Sequence, residues 1–213
     1  MLKSQKIKSK IMCAVIAASL PTSLLASDYV IEEIMVTAQK RSESLQDVPV
    51  SVSALSSGDL EGLQLRDTGE IAAQIPNLQA SGIAGDGMPI FSLRGVSMND
   101  FSFNQSSPVA VYTDEVYKGN PSFLGVQIYD LERVEVLRGP QGTLYGKNST
   151  GGAVNFIAQK PTPEQEGYIS LGVGNYNLKQ GEGALNVPVS DSLAMRLAGT
   201  WTGGDGWLGN RTP

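Results

Sequence analysis

Asp130-Leu131-Glu132-Arg133-Val134-Glu135-Val136-Leu137-Arg138-Gly139-Pro140-Gln141-Gly142-Thr143-Leu144-Tyr145-Gly146-Lys147-Asn148-Ser149-Thr150-Gly151-Gly152-Ala153-Val154-Asn155-Phe156-Ile157 is the stretch on which the reading of this chain turns. Arg133 to Leu137 alternates charged and apolar residues, which predicts a β-strand. Gly139-Pro140-Gln141-Gly142 predicts a turn. Gly151-Gly152 opens a second apolar run, and Ala153 to Ala158 is predicted to be another strand. Two strands joined by glycine-rich chain suit a small sheet with tight reversals, in which glycine supplies the conformations that other residues resist.

The glycines invite comparison with a phosphate-binding loop, and the comparison fails. That loop needs Gly-Lys followed by Ser or Thr, with an earlier glycine at a fixed offset and a helix after it. Here Asn148 follows Gly146-Lys147, Gln141 stands at the earlier glycine position, and a strand is predicted next.

Working outward, Val48-Pro49-Val50-Ser51-Val52-Ser53-Ala54 alternates with period two and predicts a strand whose proline marks a start or an edge. Ser56 to Asp59 opens a short helix, Leu60 to Leu65. Asp67 with Glu70 has the spacing of a capping box ahead of a second, Ile71 to Ile75, which Pro76 stops. Leu78 to Ala80, Phe91 to Val96 and Val109 to Tyr117 are predicted strands, and Phe123 to Asp130 a turn-flanked helix. Residues 48–160 therefore read as one α+β domain.

Beyond Pro163 the pattern changes. Gly167 to Gly174, Lys179 to Val189 and Leu193 to Thr202 alternate over segments of about ten residues, the length of strands that cross a bilayer as a barrel. Ile169, Leu171 and Val173 share one face, as do Leu185, Val187 and Val189, and Leu193, Met195, Leu197 and Trp201. A soluble antiparallel meander with one wet face has the same periodicity.

The start of the chain argues for export. Lys3, Lys6, Lys8 and Lys10 precede a short apolar run, Ile11 to Leu20, too short to span about 30 Å of hydrocarbon as a helix. Residues 1–26 read as a signal peptide cleaved after Ala26. After it, Glu33-Ile34-Met35-Val36-Thr37-Ala38 is β-prone between charged flanks, and Ser42 to Asp47 is a polar linker. Such a piece suits addition to another protein's sheet edge, and its position after the signal and ahead of a polar linker favours that over an N-terminal strand of the domain that follows.

Composition narrows the chemistry. The chain of 213 residues has no histidine, which excludes His-based acid–base catalysis and His-ligated zinc. Its single cysteine, Cys13, lies in the predicted signal. The net charge is −5; removing the four signal lysines from 16 cations, against 21 acids, makes it −9, which argues against nucleic acid as a partner. No catalytic residue, cofactor or metal ligand is expected.

The Asp130–Ile157 stretch closely resembles the plug domain of TonB-dependent outer-membrane receptors. Three more pieces agree in order: Glu33 to Ala38 resembles a TonB box, Leu45 to Leu55 the opening of the plug, and Phe91 to Val96 with Val109 to Tyr117 its central strands. The resemblance covers roughly residues 28 to 160. It implies an α+β plug domain followed by the first antiparallel strands of a transmembrane β-barrel, in a fragment of a longer chain. It divides the chain into a signal (1–26), a TonB box and linker (28–47), the plug (48–160) and barrel strands (161–213).

The implied function is energy-coupled import through the outer membrane, most often of a ferric siderophore, with cobalamin or a saccharide as alternative solutes and a passive barrel as an alternative of another class. The implied partners are TonB with its inner-membrane complex, an extracellular small molecule and outer-membrane lipid. Glu33, Ile34, Met35, Val36, Thr37 and Ala38 would contact TonB. Arg94, Arg138 and Glu135 would hold plug to barrel, Arg133 serving equally as a solvated strand charge. Gly95, Gly139, Gly142 and Gly146 would make plug turns. Phe101 and Phe103 would sit on ligand-facing loops, or simply pack there.

Overall fold

The structure, a computed structural model, describes residues 33–65, 67–82, 88–98, 105–124 and 128–205. The predicted signal peptide, Phe101 and Phe103 lie outside the described residues.

A five-stranded sheet organises the first part. It contains β3 (Val52–Ser56), β6 (Val109–Thr113), β7 (Val116–Tyr117), β8 (Leu131–Arg138) and β9 (Gly152–Ala158), in the order β3-β8-β9-β6-β7. Pairing is antiparallel except between β6 and β9, which run parallel with Val109 opposite Gly152. The sheet is covered on both faces, and its alternation shows how. Val134 and Val136 of β8, Val109 and Val111 of β6, and Val154 and Phe156 of β9 face one core, with Leu60, Ile71, Phe91 and Leu93. The alternate residues Leu137, Ala110, Tyr112 and Ala153 face a second core, with Val36, Ala38 and Tyr145.

Two short helices close the first face. α1 (Ser57–Gly62) starts at Ser56, whose hydroxyl accepts from the Asp59 N–H while the Asp59 carboxylate accepts from the Ser56 N–H. α2 (Thr68–Gln74) has the same reciprocal box between Asp67 and Glu70, as its spacing predicts. α1 lies earlier than the predicted Leu60–Leu65 because the Ser56 cap fixes its first turn. The hairpin of β4 (Leu78–Gly82) and β5 (Pro89–Leu93) completes this layer.

Several predicted elements are redrawn. Val109 to Tyr117 is not one strand: Asp114 and Glu115 take φ of 45° and 68°, and the chain reverses into β7. Tertiary contact supports this turn, since the Asp114 carboxylate accepts from the Ala158 N–H at 2.9 Å. Phe91 to Val96 ends as a strand at Leu93, where Arg94 (φ 53°) and Gly95 (φ 79°) turn so that Leu93 and Val96 exchange both backbone hydrogen bonds. Of the predicted helix Phe123 to Asp130, residues 125–127 lie outside the described residues, Pro121–Phe123 is a single 3₁₀ turn, and Ile128–Asp130 is not helical. The turn after Gly139 runs on into a one-turn helix, α3 (Gly142–Tyr145).

The last three strands form a separate antiparallel sheet: β10 (Glu166–Val173), β11 (Lys179–Ser190) and β12 (Leu193–Gly203). Ile169, Leu171, Val173, Leu185, Leu197 and Trp201 stand exposed on one face. Arg196, Glu182 and Asn186, on the other, reach the α+β domain or its exit chain. The apolar face therefore points away from the domain, as in a barrel wall around a plug. Among the described residues no helix is long and apolar enough to cross a membrane, which says nothing of strands.

Candidate functional site

The predicted TonB-contact segment is described in full, and it is docked. β1 (Met35–Val36) pairs antiparallel with β2 (Glu43–Ser44), so the predicted polar linker is the return arm of a small hairpin. Lys40 makes the reversal with φ 61°, its N–H donating to the Thr37 carbonyl. Val36 and Ala38 are buried in the second core, whereas Glu33 and Met35 are exposed.

Thr37 is the anchor. Its N–H donates to Glu135 Oε1 at 2.7 Å, and its hydroxyl lies 3.1 and 3.3 Å from the two carboxylate oxygens. Arg133 Nε donates to the same Oε1 at 2.8 Å, and Arg133 also pairs with Glu132. The Tyr145 hydroxyl donates to the Thr37 carbonyl at 3.3 Å while accepting from Asn155 Nδ2 at 3.0 Å. The Tyr112 hydroxyl donates to the Tyr145 carbonyl. Lys40 Nζ stands 4.9 Å from the Tyr145 ring centre and 5.6 Å from that of Tyr112. Burial pushes the Tyr145 phenol up to about 12, against the opposing pull of its Asn155 hydrogen bond. Burial raises Tyr112 as well.

Glu135 therefore corrects one expectation. Its side chain is 0% exposed and is held by Thr37 and Arg133, so it cannot reach a barrel wall. A carboxylate without water must be paired, and β-alternation turns Arg133 and Glu135 to the same face, where the pair forms.

Arg94 and Arg138 differ from it. Arg94 Nη2 donates to Ser51 Oγ at 3.3 Å, and Arg138 Nη2 to Ser53 Oγ at 2.6 Å. Neither makes an ion pair among the described residues, and the buried Arg138 Nε has no hydrogen-bond partner there.

Gly95, Gly139 and Gly146 have positive φ, as turn glycines should. Gly142 does not: it is the first residue of α3, and an added Cβ would meet nothing. The most constrained glycine among the described residues is Gly152, at φ 148°, where a Cβ would fall onto the Leu137 carbonyl and a Leu93 methyl.

Sequence reasoning missed a second group, which joins the domain to the strands. Arg196 of β12 grips Asp130 through two hydrogen bonds, Nε to Oδ2 at 2.7 Å and Nη2 to Oδ1 at 2.5 Å. Asn186 of β11, fully buried, donates to Thr162 and Glu164 carbonyls and accepts from the Thr162 N–H. The available signal was a lone charge, Arg196, on the small-residue face of a barrel-type strand. Among the described residues no cluster of three or more acids, cysteines or histidines could hold a metal.

Comparison with known proteins agrees with this geometry. The family described as "TonB-dependent Receptor Plug Domain" matches residues 44–153. The chain is 32% identical over 161 residues to the pesticin receptor of Yersinia pestis, covering 75% of this chain and 24% of that receptor. It is 29% identical over 161 residues to the ferric-pyoverdine 358 receptor of Pseudomonas putida, covering 75% and 19%. Its fold is similar to the crystal structure of the ferric yersiniabactin uptake receptor of Yersinia pestis, with TM-score 0.63, 30% identity, and coverage of 70% of this chain and 24% of that one. The chain thus spans about a quarter or less of the length of these relatives.

Proposed function

Since the chain belongs to the TonB-dependent receptor family through its plug domain, we propose that it is part of an outer-membrane receptor, not an enzyme, that imports a ferric siderophore at the expense of TonB-transmitted energy. The observation that carries this reading is the docked segment Glu33–Ala38. It is a β-prone segment at the edge of the plug, tied by Thr37 to Glu135 on β8, an interior strand of the main sheet. Strand addition grips main chain rather than side chains, so a pull on such a segment passes into the plug. Val36 and Ala38 are buried, so that grip requires the segment to come away from the second core.

The remaining roles follow from the same reading. The exposed faces of β10–β12 meet lipid, residues 1–26 direct export, and the plug opens toward the periplasm at its N-terminal side. Arg94 and Arg138, without ion pairs among the described residues, receive carboxylates from further barrel wall. Phe101 and Phe103 are candidates for contact with the solute on the family resemblance alone. Iron chelates are favoured as the solute because two relatives are receptors for ferric pyoverdine and ferric yersiniabactin.

Proline at Met35 or Val36 in the full-length receptor tests the reading, because it removes a donor from the strand. Energised uptake of a ferric siderophore by iron-starved cells should be lost while surface binding persists. Uptake at the unaltered rate would refute the TonB-contact assignment. Rescue by cobalamin instead of iron would replace the solute.

A further inference from the structure

The backbone of Thr37 serves two buried groups at once. Its N–H donates to Glu135 Oε1 at 2.7 Å, and its carbonyl accepts from the Tyr145 hydroxyl at 3.3 Å. A second amide, the Asn155 carboxamide, lies beside both groups. Asn155 is the cross-strand partner of Glu135 on the same face of the sheet, which sets their Cβ atoms about 5 Å apart. Its Nδ2 donates to the Tyr145 hydroxyl at 3.0 Å, while its Oδ1 is buried with no partner among the described residues.

Departure of the Glu33–Ala38 segment takes a donor from Glu135 and the acceptor from Tyr145. Glu135, Asn155 and Tyr145 are 0%, 7% and 5% exposed, among apolar Ala110, Leu137 and Ala153, so a stranded polar group there is costly. Glu135 keeps Arg133 Nε at 2.8 Å, and the Thr37 carbonyl leaves with the Lys40 N–H that it also accepts at 2.9 Å. The two losses that remain match the two ends of a carboxamide. A half-turn of Asn155 about its last side-chain bond, a soft torsion, brings Oδ1 to the Tyr145 O–H and Nδ2 to the Glu135 side.

Taking the docking-and-release reading above as its basis, we propose that Asn155 is a positioning residue that stands in for Thr37 in the released plug, its carboxamide turning over to hold Tyr145 and Glu135 in place of the departed backbone. The docked plug leaves Oδ1 unused, and the turned amide recovers it. Asn155 therefore favours release, and it keeps the vacated place ordered for the segment's return.

The test follows tryptic cleavage after Lys40 or Arg41 in the full-length receptor with neither ligand nor TonB, so its outcome is independent of energised import. Cleavage tracks the released population when redocking outpaces cutting. Asn155→Leu, similar in size and without polar atoms, should slow cleavage about fivefold, because release then strands Tyr145 and Glu135. A residue that merely braced Tyr145 in the docked plug would give the opposite sign, so cleavage as fast as the wild type or faster overturns the proposal. In a Tyr145→Phe background the slowing should shrink, one of the two served groups being gone, and an undiminished effect overturns it as well. Should Asn155→Leu fail to assemble, Asn155→Val decides by the same measurement and the same sign. A wild-type segment that trypsin never cuts refutes release itself, and the proposal with it.

Discussion

Thr37 and Glu135 stand 98 positions apart in the sequence, and the backbone N–H of one lies 2.7 Å from the carboxylate of the other. A segment at the edge of the domain is thereby fastened to β8, an interior strand of the main sheet. The hydroxyl adds a second attachment that can be removed without touching the backbone bond. Thr37→Val should loosen the segment by about 1 kcal/mol, roughly a fivefold larger undocked population. Tryptic cleavage after Lys40 or Arg41 in the full-length receptor measures this, and an unchanged cleavage rate would show that the hydroxyl is not part of the fastening.

Arg133 and Glu135 form an ion pair away from water, with side chains 9% and 0% exposed. Arg133→Leu leaves a carboxylate buried without its cation and should cost about 3–5 kcal/mol. Replacing both by leucine removes the stranded charge and should be milder than the single change, with the orphaned Thr37 N–H accounting for about 1–3 kcal/mol. Urea unfolding followed through plug proteolysis compares the variants. A double variant no more stable than Arg133→Leu would contradict the pairing.

Two neighbouring glycines should respond in opposite ways. Gly152→Ala drives a methyl into the Leu137 carbonyl and should destabilise the plug by about 1–3 kcal/mol or more. Gly142→Ala sits in open space at the first position of α3 and should be neutral or stabilising by about 0.4–1 kcal/mol. Hydrogen exchange across β8 and β9 separates the two outcomes.

Alkali should release the docked segment. Tyr145 holds its proton more tightly when folded, with its phenol pushed up to about 12 from an ordinary value of 10.0. Its contribution is fully present below pH 10 and fades as pH rises toward the folded value. Tyr145→Phe should remove part of this alkaline sensitivity, and Tyr112 retains the remainder because its phenol is raised too. Phenolate absorbance recorded alongside tryptic cleavage checks it; cleavage that rises identically in Tyr145→Phe would exclude this tyrosine as the cause.

The elements legible in the sequence are those whose signals are local. β8 announces itself by alternation, α2 by its capping box, and β10–β12 by long runs with one apolar face. The reversal at Asp114-Glu115 was not legible, because Glu115 stands where such a turn favours glycine and the turn depends on Ala158, 44 positions away. The place of Glu135 escaped for a related reason. Period two shows that it shares a face with Arg133 and Leu137, but only the tertiary fold shows that Thr37 covers that face. Asp130 and Arg196 each look like an isolated charge in sequence; their pairing needs the domain and the strands side by side.

The strand order β3-β8-β9-β6-β7 also dictates when this domain can become structured. The first long strand has no neighbour until β8 exists, and β6, paired locally only with the two-residue β7, waits for β9 to lie parallel along its full length. A polypeptide delivered from its N-terminus must stay loose until the last of these arrives, since distant pairings repay loop closure only at the end. Assembly is thus late and nearly simultaneous, and chaperones meeting the nascent chain would encounter an unfolded client through most of its length.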